Sequence, residues 1–162
     1  MSWSKELAKF LKAAERVVVL GIGNVQKGDD AAGAVCVELI AEQLKKQPQK
    51  YVKVINAGEV PENYTGDIRK FQATHIVIID ACINRQRPGT ISLMAVEKIG
   101  DEDISTHRMP LSMLVKFLKT TINCEVLLIG IEPKSLIWKQ PLSAPVQKAV
   151  DTISKVLMDL IR

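Results

Sequence analysis

A chain of 162 residues with 22 Lys+Arg against 18 Asp+Glu is mildly basic, and 47% apolar content is ordinary for a globular protein with one core. The positive residues are scattered and aromatics are only 4%, which argues against a nucleic-acid-binding stripe. No apolar run reaches membrane-spanning length, and SWSKELAKFLKAAER interleaves charge with apolar residues unlike a secretory signal, so a cytoplasmic protein without membrane insertion is expected.

Leu7, Phe10, Leu11 and Ala14 recur at helical spacing, predicting a short amphipathic helix ahead of the first strand. VVVL, within Arg16 to Gly21, fits a strand covered on both faces. After the loop GIGNVQKGDD, a helix is expected from about Asp30 to Lys46, with Val35, Leu39 and Ile40 inward and Pro48 beyond its basic end. YVKVINAG reads as a second strand, PENYTGDIRKFQ as a loop and short helix, and HIVIID as a third strand. The turn-rich ACINRQRPG leads to a fourth strand, TISLMAV. Its connection is too short for a helical crossover, so this strand is antiparallel to its neighbours or at the sheet edge. A helix over about Leu111 to Ile122, a fifth strand EVLLIGI and a helix from about Ala144 to Ile161 complete the pattern, the last carrying Val146, Val150, Ile153, Leu157 and Leu160.

Strands alternating with helices predict a three-layer α/β/α sandwich, with a five-stranded, mostly parallel sheet and one antiparallel strand. One domain over residues 1–162 is expected, with residues 1–15 as an N-terminal helical extension. Cys36, Cys82 and Cys124 are odd in number and far apart, which indicates buried small hydrophobes rather than a disulfide framework or zinc knuckle.

In parallel sheets, sites form outside the carboxyl ends of the strands. Asp30 follows the Gly-rich loop after the first strand, Asp80 ends the third, and His107 lies in STHRMPL after the fourth. Two carboxylates and an imidazole converging there would suit a borderline divalent metal such as nickel or zinc. Each residue alone has an ordinary explanation. One of Asp29 and Asp30 can cap a helix N-terminus while the other is available for chemistry, and Asp80 can cap the turn after it. A loop histidine is usually solvated, and His75 stands before its strand and away from this edge. The coincidence of three positions makes the case. Gly21-Ile22-Gly23 lacks the third glycine of a dinucleotide fingerprint, Asn56 stands where a ribose-binding acid belongs, and no GK[ST] follows. A tight strand-to-helix turn accounts better for these glycines.

The loop Gly23-Asn24-x-x-x-Gly28-Asp29-Asp30-Ala31-Ala32-Gly33 resembles the opening motif of the [NiFe] hydrogenase maturation endopeptidases. The resemblance continues through Ala57-Gly58-x-x-Pro61-Glu62-Asn63, Ile79-Asp80-Ala81 and Thr106-His107-x-Met109-Pro110-Leu111. It resumes at Gly130-Ile131-x-Pro133 and at Pro145-Val146-x-x-Ala149-Val150. Two departures are the Ala31 that stands where a glycine often follows the acidic pair, and the leading helix, which many relatives lack. The resemblance implies an endopeptidase that removes a C-terminal extension from the nickel-loaded hydrogenase large subunit, just past its last metal-binding cysteine motif. It is strongest toward the branch serving formate-hydrogenlyase-type hydrogenases.

Carried over residue by residue, the metal-contacting and catalytic set is Asp30, Asp80 and His107. The implied nickel is presented by the substrate, and no stably bound organic cofactor is expected. The implied partner is the large-subunit precursor, with no nucleic acid, and the protein is expected to be a monomer. A metal there would polarise the scissile carbonyl or lower the pKa of a bound water, or a carboxylate would act as general base; the sequence leaves these open. No HExxH, GxSxG or clear Cys–His pair is present. The competing readings are a nickel-checking binding module without its own catalysis and a small dinucleotide-binding oxidoreductase.

Overall fold

The computed structural model describes residues 2–95 and 111–161. His107 and the final residue of the TISLMAV run lie outside them. The elements are α1 (Ser2–Leu11), β1 (Val17–Ile22), α2 (Ala32–Lys46), β2 (Val52–Gly58), α3 (Thr65–Phe71), β3 (His75–Ala81), β4 (Ile91–Ala95), α4 (Leu111–Thr121), β5 (Glu125–Ile131) and α5 (Ala144–Leu160). Short 3-10 turns at Gly28–Ala31 and Pro61–Tyr64 precede α2 and α3.

The strands form one sheet in the order β2-β1-β3-β5-β4. β1 runs parallel to both β2 and β3, and β3 parallel to β5. β4 is antiparallel to β5 and also at the edge, so both alternatives left open for it hold together. Residues 82–90 are too few for a helical crossover, and the chain turns back instead.

Alternation along the strands sorts the core into two halves. Val17, Val19, Val77, Ile79 and Ile129 pack with Leu7 of α1, Cys36 and Ile40 of α2, and Val150, Ile153 and Leu157 of α5. Val18, Leu20, Ile76, Ile78 and Leu128 face the other way, onto Ile68 of α3 and Leu114 and Leu118 of α4. This is the three-layer sandwich, and it explains why β1 and β3 are buried at every position. Ile78 has no solvent contact. Its truncation to Ala would cost about 2–5 kcal/mol.

Two readings need correction. The buried stripe of α2 runs through Gly33, Cys36, Val37 and Ile40, while Leu39 is 36% exposed and off that stripe. His75 does not stand ahead of its strand. It is the first residue of β3, paired with Val17 and Glu125, and its ring packs edge-on against Phe10 at 5.0 Å. It does lie at the amino end of the sheet, opposite the loops described next.

Close approach of α2 to the sheet sets the geometry at the carboxyl end. A Cβ on Gly33 would run into the carbonyl oxygens of Ile79 and Ile22. The first turn of α2 can therefore lie against the ends of β1 and β3 only because that residue lacks a side chain.

Candidate active site

Leaving β1, the chain is held at once by a bond from Gly23 N–H to the Gly58 carbonyl after β2, 2.8 Å. A Cβ on Gly23 would collide with the Asp30 carbonyl oxygen, so the loop folds back tightly on itself. The glycines here serve close packing. Within the loop, the Asn24 side-chain oxygen accepts from Gln26 N–H at 2.9 Å, an Asx turn. The Asn24 backbone N–H donates to Oδ2 of Asp30 at 3.0 Å. Asp30 is 1% exposed, and this bond orients its carboxylate.

Asp29, equally buried, has a different task. Its carboxylate accepts from the N–H groups of Lys134 (2.8 Å), Ser135 (3.1 Å) and Ser143 (2.7 Å), and from the Ser143 hydroxyl (2.8 Å). Its own N–H donates to the Ser135 carbonyl at 2.8 Å. The expectation that one of the acidic pair caps a helix is not met: neither the 3-10 turn nor α2 has a side-chain cap. Asp29 ties the loop between β5 and α5 to the loop after β1, a long-range role that local sequence does not reveal.

Asp80 belongs to β3 itself, opposite Gly130 of β5, and has no solvent exposure. HIVIID predicts a strand that ends on Asp80, but β3 continues to Ala81. Alternation with Ile76 and Ile78 puts Asp80 on the α3/α4 side. The 3-10 turn carrying Asp30 packs against β3, so both acids occupy the carboxyl end of adjacent strands β1 and β3. His107 is outside the described residues. Among those described, no three His, Cys, Asp or Glu side chains group closely enough to hold a metal.

Sequence reasoning passed over Glu132. It is 7% exposed, and its Oε1 accepts from Asn84 N–H (2.8 Å) and Gln86 N–H (3.0 Å). It thereby shapes the loop after β3, with its carbonyl accepting from Gly89 N–H at 2.8 Å. An acid directly after β5, at the site end of the sheet, was the available signal. Beside the Asp30 loop, an open groove of about 450 Å³ runs between Asn24 and Val25 on one side and Gly58, Val60 and Tyr64 on the other.

The three cysteines are buried, as expected, and none is joined in a disulfide. Burial, helped by nearby Asp151, pushes the Cys36 thiol up to about 12, and burial also raises that of Cys124. Thiols held protonated in this way are poor nucleophiles.

Fold and site together define an α/β/α-sandwich protein with buried, loop-oriented carboxylates at the carboxyl end of a parallel sheet. The sequence profile of the hydrogenase maturation proteases, HycI, matches residues 35–160. A Methanocaldococcus jannaschii protein assigned as a hydrogenase maturation protease is 35% identical over 155 residues, spanning 93% of this chain and 91% of its own. The hydrogenase 3 maturation protease of Escherichia coli K12 is 35% identical over 137 residues, spanning 84% and 85%. The crystal structure of the [NiFe] hydrogenase maturation protease HycI from Thermococcus kodakarensis superposes with a TM-score of 0.85 at 29% identity, covering 96% of this chain and 98% of that one. The chain belongs to the hydrogenase maturation protease family, and its activity is that of an endopeptidase.

Proposed function

We propose that this endopeptidase removes the C-terminal extension of a nickel-loaded [NiFe] hydrogenase large-subunit precursor, of the formate-hydrogenlyase type. It acts in the cytoplasm as a single-domain monomer, with Asp30, Asp80 and His107 as its working side chains. The reading rests on the burial of Asp30 and Asp80 at the carboxyl end of the sheet, with an open groove beside the loop that leads to Asp30. Carboxylates removed from water at the carboxyl end of a parallel sheet are suited to a site and unneeded by the core.

The groove next to Asn24 has room for a short extended segment of the precursor. Nickel arrives as part of the substrate and supplies Lewis-acid polarisation of the scissile carbonyl. Two carboxylates and an imidazole are an incomplete donor set for a borderline metal, suited to engaging an ion held mainly by other ligands. A carboxylate of the pair takes the proton of the attacking water as general base. Water oxygen bonds to the carbonyl carbon, the C–N bond breaks, and the proton passes to the leaving amine. The products are a new carboxyl terminus on the large subunit and a free peptide. The bond from Asn24 N–H keeps Asp30 in position for this work.

The test is the intact mass of the purified precursor with and without this protein. A loss equal to the C-terminal extension is expected. An unchanged mass would remove the assignment, and binding without cleavage would favour the nickel-checking module.

A further inference from the structure

The carboxyl end of the sheet also carries a surface that cleavage alone does not require. Val25 is 65% exposed, Ile83 50%, Ile137 62% and Trp138 53%, on three loops that follow β1, β3 and β5. Scattered exposed apolar residues are ordinary, but several side chains of this size around one site mark an interface. Trp is also the residue most enriched at the energetic centres of interfaces.

These loops are joined. Lys139 N–H donates to the Gln26 carbonyl at 2.6 Å, and Asp29 grips the β5–α5 loop through its bonds to Lys134, Ser135 and Ser143. Ile137 and Trp138 are therefore displayed on a braced segment, which lowers the ordering cost of binding. Lys134 and Lys139 of the same loop are exposed, as are Arg85 and Arg87 on the loop after β3. The apolar tip thus has a basic border.

We propose that the Ile137–Trp138 tip is the docking element for the folded body of the precursor, seating on an apolar patch with an acidic border. This rests on the precursor assignment made above. Two observations favour that occupant over a second copy of this chain. A copy seated here would cover the loops that carry Asp30 and flank Asp80, and it would set one basic border against another in a chain of net charge +4.

The experiment measures kcat and KM for purified nickel-loaded precursor with wild type, Trp138→Ala and the double variant Lys134→Glu/Lys139→Glu, across a range of salt. Melting temperature and sedimentation are recorded in parallel. Trp138→Ala should raise KM at least about tenfold while kcat and melting temperature hold. The charge reversal should raise KM and flatten its salt dependence. A wild-type KM for Trp138→Ala would overturn the proposal, and so would a wild-type dimer that this variant dissociates. If the wild type leaves the precursor uncut, the cleavage assignment fails separately. Docking is then judged by direct binding of the same precursor, where equal affinity of wild type and Trp138→Ala overturns it.

Discussion

The two ends of the sheet are built from the same strands and differ in almost everything else. At the amino end, β3 opens on His75, whose ring packs on Phe10, while Thr74 accepts from the N–H groups of Glu15 and Arg16 at 3.0 Å each. The Arg16 guanidinium donates to the Phe71 carbonyl and lies 4.6 Å over the Phe71 ring. These contacts close the structure. At the carboxyl end, Asp80 is the penultimate residue of β3, and the surrounding loops hold three buried carboxylates and a row of exposed apolar side chains. A stable sandwich requires the first arrangement. The second costs desolvation, which Asp29 and Glu132 offset by holding loops, while Asp30 and Asp80 are the pair that the proposed activity uses.

The largest effects should come from the carboxyl end. Asp30→Asn, Asp80→Asn and His107→Ala are each expected to lower processing by at least about a hundredfold. Circular dichroism and melting temperature should remain close to wild type, since Asn keeps the shape of Asp. Wild-type cleavage by two of these variants would erase the functional difference between the ends. Asp29→Ala should act otherwise, by stability. It strands the N–H groups of Lys134, Ser135 and Ser143, at a cost of about 3 kcal/mol, and slows processing through a loosened loop. Denaturant unfolding measures this, and Asp29→Asn should retain part of the loss-sensitive network.

Smaller changes are expected away from the site. Cys36→Ala and Cys124→Ala should each lose about 1–2 kcal/mol with processing intact. Cys82 stands two residues after Asp80, so Cys82→Ala is the informative member of the set. A folded, inactive Cys82→Ala protein would extend the site to that thiol.

The amino end should respond to pH. Burial lowers the pKa of His75 from 6.5, against the opposing charge of Glu125, so the folded protein takes up this proton less readily than the unfolded chain. Stability from this residue is present above pH 6.5 and declines as pH falls from there toward the folded value. His75→Gln should flatten that part of the melting-temperature profile and leave processing unchanged. An unaltered profile would show that the histidine is not a closing element.

Much of this division could be read from the residues. VVVL and HIVIID announced strands buried on both faces, and the short ACINRQRPG connection announced the reversed strand β4. Asp30 and Asp80 were legible because acids at strand ends have no reason to be there for packing. What escaped notice was long-range. Asp29 looks like a helix cap in its own neighbourhood, and only the fold brings Ser143 to it. Glu132 looks like a surface residue until the loop after β3 wraps onto its carboxylate. Leu39 fitted the apolar count of α2 but lies off its inward stripe by a fraction of a turn.

The central claim is that the carboxyl end works on a metal the substrate brings. Purified precursor, nickel-loaded or nickel-free, is incubated with this protein and its intact mass followed, with free nickel added to the protease in a third arm. The account predicts loss of the C-terminal extension from the nickel-loaded precursor and none from the nickel-free form, even with free nickel present. Equal processing of the nickel-free precursor would contradict it.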